Sequence, residues 1–326
     1  MTKIDLITGI LGSGKTTFIK KYASYLIKKG ERIAILENDF GAVNVDMMIL
    51  QDLKCDNCTV EMIMGGGDHD CHRRRFKTQL ISLGMQNYDR VIVEPSGIFD
   101  MDEFFDLLYE SPLDRWFTVG SVIGITDAGL EEILSDQMEY LLASESACCG
   151  KLLLSKTDDM TASQLDRRAE EILSHINRAM EDIKCDRKLK RENIIAKSSN
   201  DITDDDMKAL ENAGYVGARY IKKYSPDSIK SSVHYFMNVD IPAEKIEETV
   251  NGIINDVSCG TIFRIKGSLP TENGGWLKVN ATKEKTEISP VKEGQAVLIA
   301  IGDDMDREKI DSYLKKYNRN SEYVSI

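Results

Sequence analysis

The sequence lacks any uninterrupted apolar run long enough to cross a membrane, which takes about 18 residues or more, and it shows no signal-peptide pattern. We therefore expect a soluble, cytoplasmic protein without a membrane partner. Basic charge is also scarce, because 42 Lys and Arg stand against 54 Asp and Glu, a net charge of −12. Such a surface repels nucleic-acid phosphates, so we expect no nucleic-acid partner.

Disulfide bonds are not expected either, since the seven cysteines are odd in number and an intracellular compartment keeps thiols reduced. The cysteines are then free thiols or metal ligands. Internal repeats and low-complexity tracts are absent from the sequence. A chain of 326 residues is long enough for two domains, each with its own hydrophobic core.

Short apolar runs rich in Val, Ile and Leu alternate with helical patterns along the first two thirds of the chain. Such runs are typical of buried parallel strands, and their alternation with helices predicts a doubly wound, mostly parallel α/β sheet. A polar stretch with Gly and Pro then interrupts the alternation. We expect an α/β domain over residues 1–215, a linker over 216–230 and a smaller α+β domain over 231–326. The strands predicted for the first domain are 3–8, 32–37, 90–94, 118–126, 151–155 and 193–196.

Residues 9–16 fill the pattern Gly-x4-Gly-Lys-Ser/Thr directly after the first predicted strand. Glycines in this pattern let backbone N–H groups curl around an anion, as in the phosphate-binding loop of nucleotide-binding proteins. The Lys15 ammonium would reach the β- and γ-phosphates, and the Thr16 hydroxyl would ligate Mg²⁺. The predicted nucleotide-binding residues of this segment are Gly9, Gly12, Ser13, Gly14, Lys15, Thr16 and Thr17.

An acidic residue follows the predicted strand 90–94, in the sequence Glu94-Pro95-Ser96-Gly97. Ligands of doubly wound sheets bind at the carboxyl ends of the strands. There Glu94 can hold Mg²⁺ or its water shell, and the Gly97 N–H can approach a γ-phosphate. The alternative for this tetrapeptide is a strand that merely ends in a turn.

The sequence Ser155-Lys156-Thr157-Asp158 stands at the end of a later predicted strand. Guanine offers N1–H and N2–H₂ donors that adenine lacks, so the Asp158 carboxylate can accept both and select GTP. The Lys156 stem would flank the purine ring, and Ser155 completes the motif. The alternative is a solvated charged turn.

Together with Glu37-Asn38-Asp39-Phe40-Gly41 and the segment 297–308, these motifs resemble the CobW family of GTPases. That family is similar to the urease and hydrogenase nickel-insertion GTPases and has its own C-terminal domain. The resemblance implies a P-loop NTPase fold and Mg²⁺-dependent hydrolysis of GTP to GDP and phosphate, by Lys15, Asp39, Glu94 and Gly97. It places Asp39 near Mg²⁺ or the attacking water. It also implies a client metalloprotein or cofactor-dependent enzyme and GTP-dependent pairing into a homodimer.

The metal motif of the family, Gly-Cys-x-Cys-Cys, is altered in this chain, because residues 65–72 retain only Cys71 of its cysteines. A Cys-x2-Cys pair, Cys55 and Cys58, lies a few residues upstream. These three cysteines with His72 or His69 have a spacing suited to tetrahedral Zn²⁺ or Co²⁺. The alternative is a Gly-rich loop with unrelated thiols. The His-rich tract of some relatives is absent, which argues against a high-capacity zinc store.

Two functions remain open from the sequence. The first is a GTP-hydrolysing metallochaperone or a cofactor-assembly protein linked to zinc, cobalt or a corrinoid. The second is a nucleotide-dependent module that binds a corrinoid protein or metalloprotein and carries no free metal. The first is favoured, because Lys15, Thr16, Asp39 and Glu94 supply the groups that hydrolysis needs.

Overall fold

The structure, a computed structural model, describes residues 1–10, 12–39, 50–64, 69–95, 101–224, 233–283, 285–292 and 294–325. These residues divide into two compact units, the first ending with residue 224 and the second beginning with residue 233. Across the described ranges, no helix is long and apolar enough to cross a membrane.

A parallel sheet forms the centre of the first unit. Its described strands are β1 (Thr2–Thr8), β2 (Ile33–Asp39), β3 (Cys58–Met64), β4 (Arg90–Pro95), β5 (Phe117–Asp127), β6 (Lys151–Ser155) and β7 (Ile194–Ile195). The strand order is β3-β2-β4-β1-β5-β6-β7, and each described pairing is parallel. The central strands are almost wholly buried, as expected where helices cover both faces. The predicted doubly wound α/β fold is confirmed.

Helices connect these strands. The described ones are α1 (Lys15–Lys28), α2 (His69–Gly84), α3 (Met101–Leu108), α4 (Leu113–Trp116), α5 (Asp136–Ala147), α6 (Ala162–Asp182) and α7 (Asp204–Glu211). Side-chain caps fix where two of them begin. The Ser135 hydroxyl accepts from the Met138 N–H at the start of α5, and Thr161 and Gln164 form a capping box at the start of α6. These caps fix the first turns of α5 and α6 at Asp136 and Ala162.

Strand β3 lies at the edge of the sheet, where the sequence pattern predicts no strand. It pairs with β2 from Ile33 and Cys58 at one end to Asp39 and Met64 at the other. Its residues 58–63 are a mixture of buried and half-buried ones, and such a mixed run is harder to recognise than a continuous apolar one. At the other end of the unit, residues 216–224, assigned above to a linker, hydrogen-bond to it through Val216 and Ile221.

A buried cluster of charges joins β1, β4 and α7. The Arg90 side chain is 1% exposed, and its Nη1 donates to Asp5 Oδ2 at 2.6 Å. Its Nε donates to Glu31 at 3.1 Å and its Nη2 to Glu211 at 3.2 Å. The Tyr22 hydroxyl adds a hydrogen bond of 2.7 Å to Asp5. Among the described ion pairs, the fully buried Asp5 carboxylate has only this guanidinium as its charge partner, whereas Glu211 also pairs with Lys29 Nζ at 2.6 Å.

The second unit is an antiparallel sheet with two helices packed against it. Its described elements are β8 (Val233–Met237), α8 (Ala243–Asn255), β9 (Thr261–Pro270), β10 (Trp276–Ala281), β11 (Thr286–Val291), β12 (Val297–Asp303), α9 (Arg307–Lys315) and β13 (Val324–Ser325). The strand order is β11-β10-β9-β12-β8-β13. Ile246 and Val250 of α8, Leu298 of β12 and Ile310 of α9 share one buried core. The predicted smaller α+β domain is confirmed.

We predict that Arg90→Met destabilises the first unit by about 3–5 kcal/mol, because it leaves Asp5 as an uncompensated buried charge and removes one of the two cations that pair with Glu211. Urea unfolding followed by circular dichroism would measure the change. Arg167→Met is the matched control, since Arg167 pairs with Glu171 at 2.8 Å on an exposed surface of α6. That control should change stability little, if at all. Equal stability of the two variants would contradict the structural role assigned to the buried cluster.

Candidate functional site

The loop between β1 and α1 is shaped by glycines. Gly9 has φ of 142°, and a Cβ there would lie 2.2 Å from the Ile125 carbonyl oxygen, so no other residue fits. Gly14 precedes α1 with φ of 95° and provides no side chain to cap the helix. The N–H groups of the first turn of α1 are therefore oriented for an anion at the helix N-terminus. Leu11 of this loop lies outside the described residues.

The loop holds a buried cation and a buried hydroxyl. The Lys15 side chain is buried, and its Nζ donates to the Gly9 carbonyl at 2.6 Å and to the Ile10 carbonyl at 3.4 Å. The Ser13 hydroxyl oxygen is also buried and has no hydrogen-bond partner among the described residues. A phosphate group would give the Ser13 hydroxyl a partner and the Lys15 ammonium an anion to pair with. The loop therefore fits the phosphates of a nucleotide.

Two acidic side chains lie beside the loop. The Thr16 hydroxyl donates to Glu94 Oε1 at 2.8 Å, and both residues are buried. Glu37 on β2 pairs in register with Glu94 on β4 and is buried too. A hydroxyl and two carboxylates form a set of hard oxygen ligands suited to Mg²⁺. The predicted site residues do not include Glu37, although the motif 37–41 begins with it and the predicted strand 32–37 ends with it.

The 155–158 segment adjoins the phosphate-binding loop. The Ser155 hydroxyl donates to the Ser13 carbonyl at 2.5 Å and to the Thr126 carbonyl at 3.3 Å. Lys156 has φ of 54°, a conformation uncommon outside glycine, and its Nζ forms an ion pair with Asp127 at the end of β5. The segment is thus held at the same edge of the sheet as the loop.

Asp158 is exposed and lies against the segment that follows β7. Its Oδ1 accepts from the Ser199 N–H at 3.2 Å and from the Ser198 hydroxyl at 3.4 Å. The buried Thr157 hydroxyl donates to the Lys197 carbonyl at 2.8 Å. Residues 197–199 are therefore part of the site, and the sequence reading missed them. The sequence gives little indication of them, because the strand that precedes them, β7, is only two residues long.

For four of the predicted residues, the structure describes only the backbone or nothing at all. Asp39 ends β2, which adjoins β4, so its backbone lies at the same edge as Glu94. His69 and His72 belong to α2, but their side chains lie outside the described part of the molecule. Gly97 lies outside the described residues altogether. The roles assigned to these four residues stay predictions.

The predicted cysteine ligands lie near opposite ends of strand β3. Cys55 and Cys58 exchange backbone hydrogen bonds of 3.0 and 3.2 Å at the amino end of β3. Cys71 stands in the first turn of α2, beyond the carboxyl end of that strand. A seven-residue strand spans about 20 Å, whereas Zn–S bonds measure about 2.3 Å. One ion therefore cannot bind Cys55 and Cys58 together with Cys71 and His72 or His69, and the predicted set must be corrected.

Burial also makes Cys58 a poor ligand. Its side chain is 2% exposed, and burial raises the pKa of the thiol to about 11, so it stays protonated at neutral pH. Cys55 and Cys71 are exposed. Among the residues whose side chains are described, no group of three His, Cys, Asp or Glu is arranged to hold a metal ion. Of the predicted cysteines, only Cys71 lies at the carboxyl end of the sheet, where the phosphate-binding loop also lies.

Among solved structures, the Zn(II)-bound YjiA GTPase from Escherichia coli is 14% identical and aligns with 98% of this chain and 99% of its own, at a TM-score of 0.38. The signal recognition particle receptor FtsY from Elizabethkingia anophelis in complex with GDP is 15% identical. It aligns with 52% of this chain and 54% of its own, at a TM-score of 0.41.

Two curated relatives from Escherichia coli (strain K12) are the zinc chaperones YeiR and YjiA. YeiR is 32% identical over 131 residues, which are 40% of this chain and 39% of YeiR. YjiA is 27% identical over 163 residues, which are 48% of this chain and 49% of YjiA. The chain thus matches less than half the length of either relative.

The family model described as "CobW/HypB/UreG, nucleotide-binding domain" matches residues 3–184. That range contains the phosphate-binding loop, Glu94 and the 155–158 segment, and it is more than half of the chain. The chain belongs to the CobW/HypB/UreG family.

Proposed function

We propose that the protein is a GTPase that binds GTP with Mg²⁺, hydrolyses it slowly to GDP and phosphate, and uses the cycle to deliver a metal ion to a client protein. The observation that supports this most is the contact of 2.8 Å between Thr16 and Glu94, directly beside the buried Lys15. Phosphoryl transfer needs a cation, a metal-binding hydroxyl and an acid in this arrangement.

In the proposed reaction, the first turn of α1 and the Lys15 ammonium neutralise the β- and γ-phosphates. Thr16 and Glu94 would hold Mg²⁺, with Glu37 beside them, and the ion would neutralise charge on the phosphates. Asp39 orients the attacking water, and the Gly97 N–H contacts the γ-phosphate, as the family resemblance implies. Catalysis is then positioning and charge neutralisation, without a covalent intermediate.

Guanine is selected by Asp158 in this proposal. Both described hydrogen bonds of this carboxylate go to Oδ1, from residues 198 and 199, and they orient the group at the exposed edge of the site. An oriented carboxylate can accept the N1–H and N2–H₂ hydrogens of guanine, which adenine does not offer.

Zinc is the proposed cargo, because the named relatives YeiR and YjiA are zinc chaperones. We place the cargo at Cys71, the exposed thiol that the chain retains from the family's metal motif, with ligands from the neighbouring 65–72 segment. Cobalt or a corrinoid is the alternative cargo. The partners we propose are a client metalloprotein or cofactor-dependent enzyme and a second copy of this chain in the GTP form.

We predict that Lys15→Ala abolishes tight GDP binding and GTP hydrolysis, because phosphate charge is left without its partner in a buried loop. Isothermal titration would give the affinity, and phosphate release would give the rate. Lys20→Ala is the matched control, since Lys20 is on the same helix and forms an exposed ion pair with Asp52 at 3.1 Å. Retention of tight GDP binding in Lys15→Ala would exclude the loop as the phosphate site.

We predict that the wild type binds GDP more tightly than ADP and that Asp158→Ala loses this preference, by about tenfold or more. The affinity for ADP should stay unchanged, because adenine has no donors for this carboxylate. Asp159→Ala, a change of the next exposed acid, should leave the preference intact. Equal affinity of the wild type for GDP and ADP would show that Asp158 does not read the base.

We predict that Cys71→Ser weakens Zn²⁺ binding by about tenfold or more, while Cys55→Ser, at the opposite edge of the sheet, binds Zn²⁺ as the wild type does. Zn²⁺ affinity should also differ between the GTP and GDP forms, by about 5- to 150-fold if the two sites are coupled. Competition with a fluorescent chelator would measure both effects.

Zinc binding that is the same in Cys71→Ser and the wild type, and the same with GTP and GDP, would contradict the proposed cargo site. The alternative function, a nucleotide-dependent module that binds a client without carrying free metal, would then be the better description.

A further inference from the structure

Glu145, in the last turn of α5, supports the phosphate-binding loop from the interior of the first unit. Its side chain is buried, and its Oε2 accepts the Gly9 N–H at 2.8 Å and the Thr8 hydroxyl at 3.3 Å. Gly9 is the first glycine of the loop. A carboxyl group far away in sequence thus fixes the point where the chain leaves β1 and enters the loop.

The other oxygen of this carboxyl group is in a different environment. Oε1 is buried and has no hydrogen-bond partner among the described residues. Beside it lies a cavity of about 10 Å³, lined by Gly124, Leu142 and Leu152 among others, close to the smallest space that holds one water molecule. A carboxylate in this position is poorly compensated, because only one of its two oxygens is hydrogen-bonded.

The protonation of Glu145 follows from these surroundings. Burial raises its pKa to about 7, although the nearby Lys15 charge and the hydrogen bonds from Gly9 and Thr8 lower it. The Cys149 thiol donates to the backbone carbonyl of Glu145 at 3.1 Å, and burial raises the pKa of this thiol well above its ordinary value, so it stays neutral. Lys15 is therefore the charged group that acts on Glu145 from the loop.

We propose that Glu145 is a positioning residue of the phosphate-binding loop, and that nucleotide binding is coupled to protonation of this carboxyl group. The proposal rests on the nucleotide binding proposed above. Either form of the group can hold Gly9, because both a carboxylate oxygen and the carbonyl oxygen of the acid accept a hydrogen bond. The charges differ, however, since a carboxylate repels the phosphates that bind on the other side of Gly9.

The direction of the coupling is fixed by electrostatics. Nearby phosphates disfavour the charged form of Glu145, so the group has a higher pKa in the complex than in the free protein. Binding then takes up a proton from solvent near and above pH 7. By linkage, the nucleotide affinity of the wild type falls as the pH rises through the pKa of the free protein and levels off above that of the complex.

Glu145→Gln tests the charge while keeping an acceptor oxygen for Gly9. We expect the variant and the wild type to bind GDP with equal affinity at about pH 6. At about pH 8.5 the variant should bind about tenfold more tightly, the effect of a one-unit rise in pKa on binding. Taking the ratio of the two proteins at each pH removes the titration of the phosphate of GDP itself.

Glu139→Gln is the matched control, because Glu139 lies on the same helix and pairs with His175 rather than with the loop. The ratio of the GDP affinity of Glu139→Gln to that of the wild type should not change with pH. Glu145→Ala removes the acceptor as well as the charge, so it should weaken GDP binding about tenfold or more at both pH values. Circular dichroism would check that each variant is folded, and Glu145→Gln carries the test if Glu145→Ala is not.

If the ratio of GDP affinities between Glu145→Gln and the wild type does not change with pH, the proposed coupling is wrong. If a folded Glu145→Ala binds GDP as tightly as the wild type, the positioning role is wrong. Both outcomes require that the wild type binds GDP. A wild type that binds neither GDP nor GTP would overturn the proposed function, and this proposal with it.

Discussion

The buried ion pair between Arg90 and Asp5 is the interaction on which the arrangement of the first unit depends. It joins β4 to β1 near the amino ends of the strands, where Lys3 pairs with Arg90. Parallel pairing carries this register to the carboxyl ends, so Glu94 comes to lie beside the loop that follows β1. An unpaired charge at this depth costs several kcal/mol, which strongly disfavours any arrangement that separates the two strands.

Charge is concentrated at the carboxyl edge of the sheet. Glu37 and Glu94 are buried acids paired in register on neighbouring strands, and Glu145 is a buried acid on which the charge of the buried Lys15 ammonium acts. Burial strengthens each interaction among these groups, because the interior screens charge far less than water does. A divalent cation with a polyphosphate supplies the positive and negative charge that such a set can accommodate. This combination of charges is consistent with the Mg²⁺–GTP complex proposed above.

Topology also brings the proposed nucleotide and metal sites to the same side of the sheet. Strands β2 and β3 are neighbours, and their carboxyl ends, Asp39 and Met64, are paired in register. The chain after β2 and the chain between β3 and α2 therefore start side by side at the edge where the phosphate-binding loop lies. Cys71 stands in the first turn of α2, directly after the second of these connections. A change in one connection needs no long pathway to reach the other.

The sequence by itself determined the phosphate-binding loop, the 155–158 segment and the alternation of strands and helices, because these features are encoded by contiguous residues. Tertiary structure alone decided the partners that lie far apart in the chain. It placed Glu145 behind Gly9, set Glu37 beside Glu94 and separated Cys58 from Cys71 by the length of a strand. Spacing along the chain gives no distance in space until the register of the sheet is fixed, and packing of side chains far apart in sequence fixes that register.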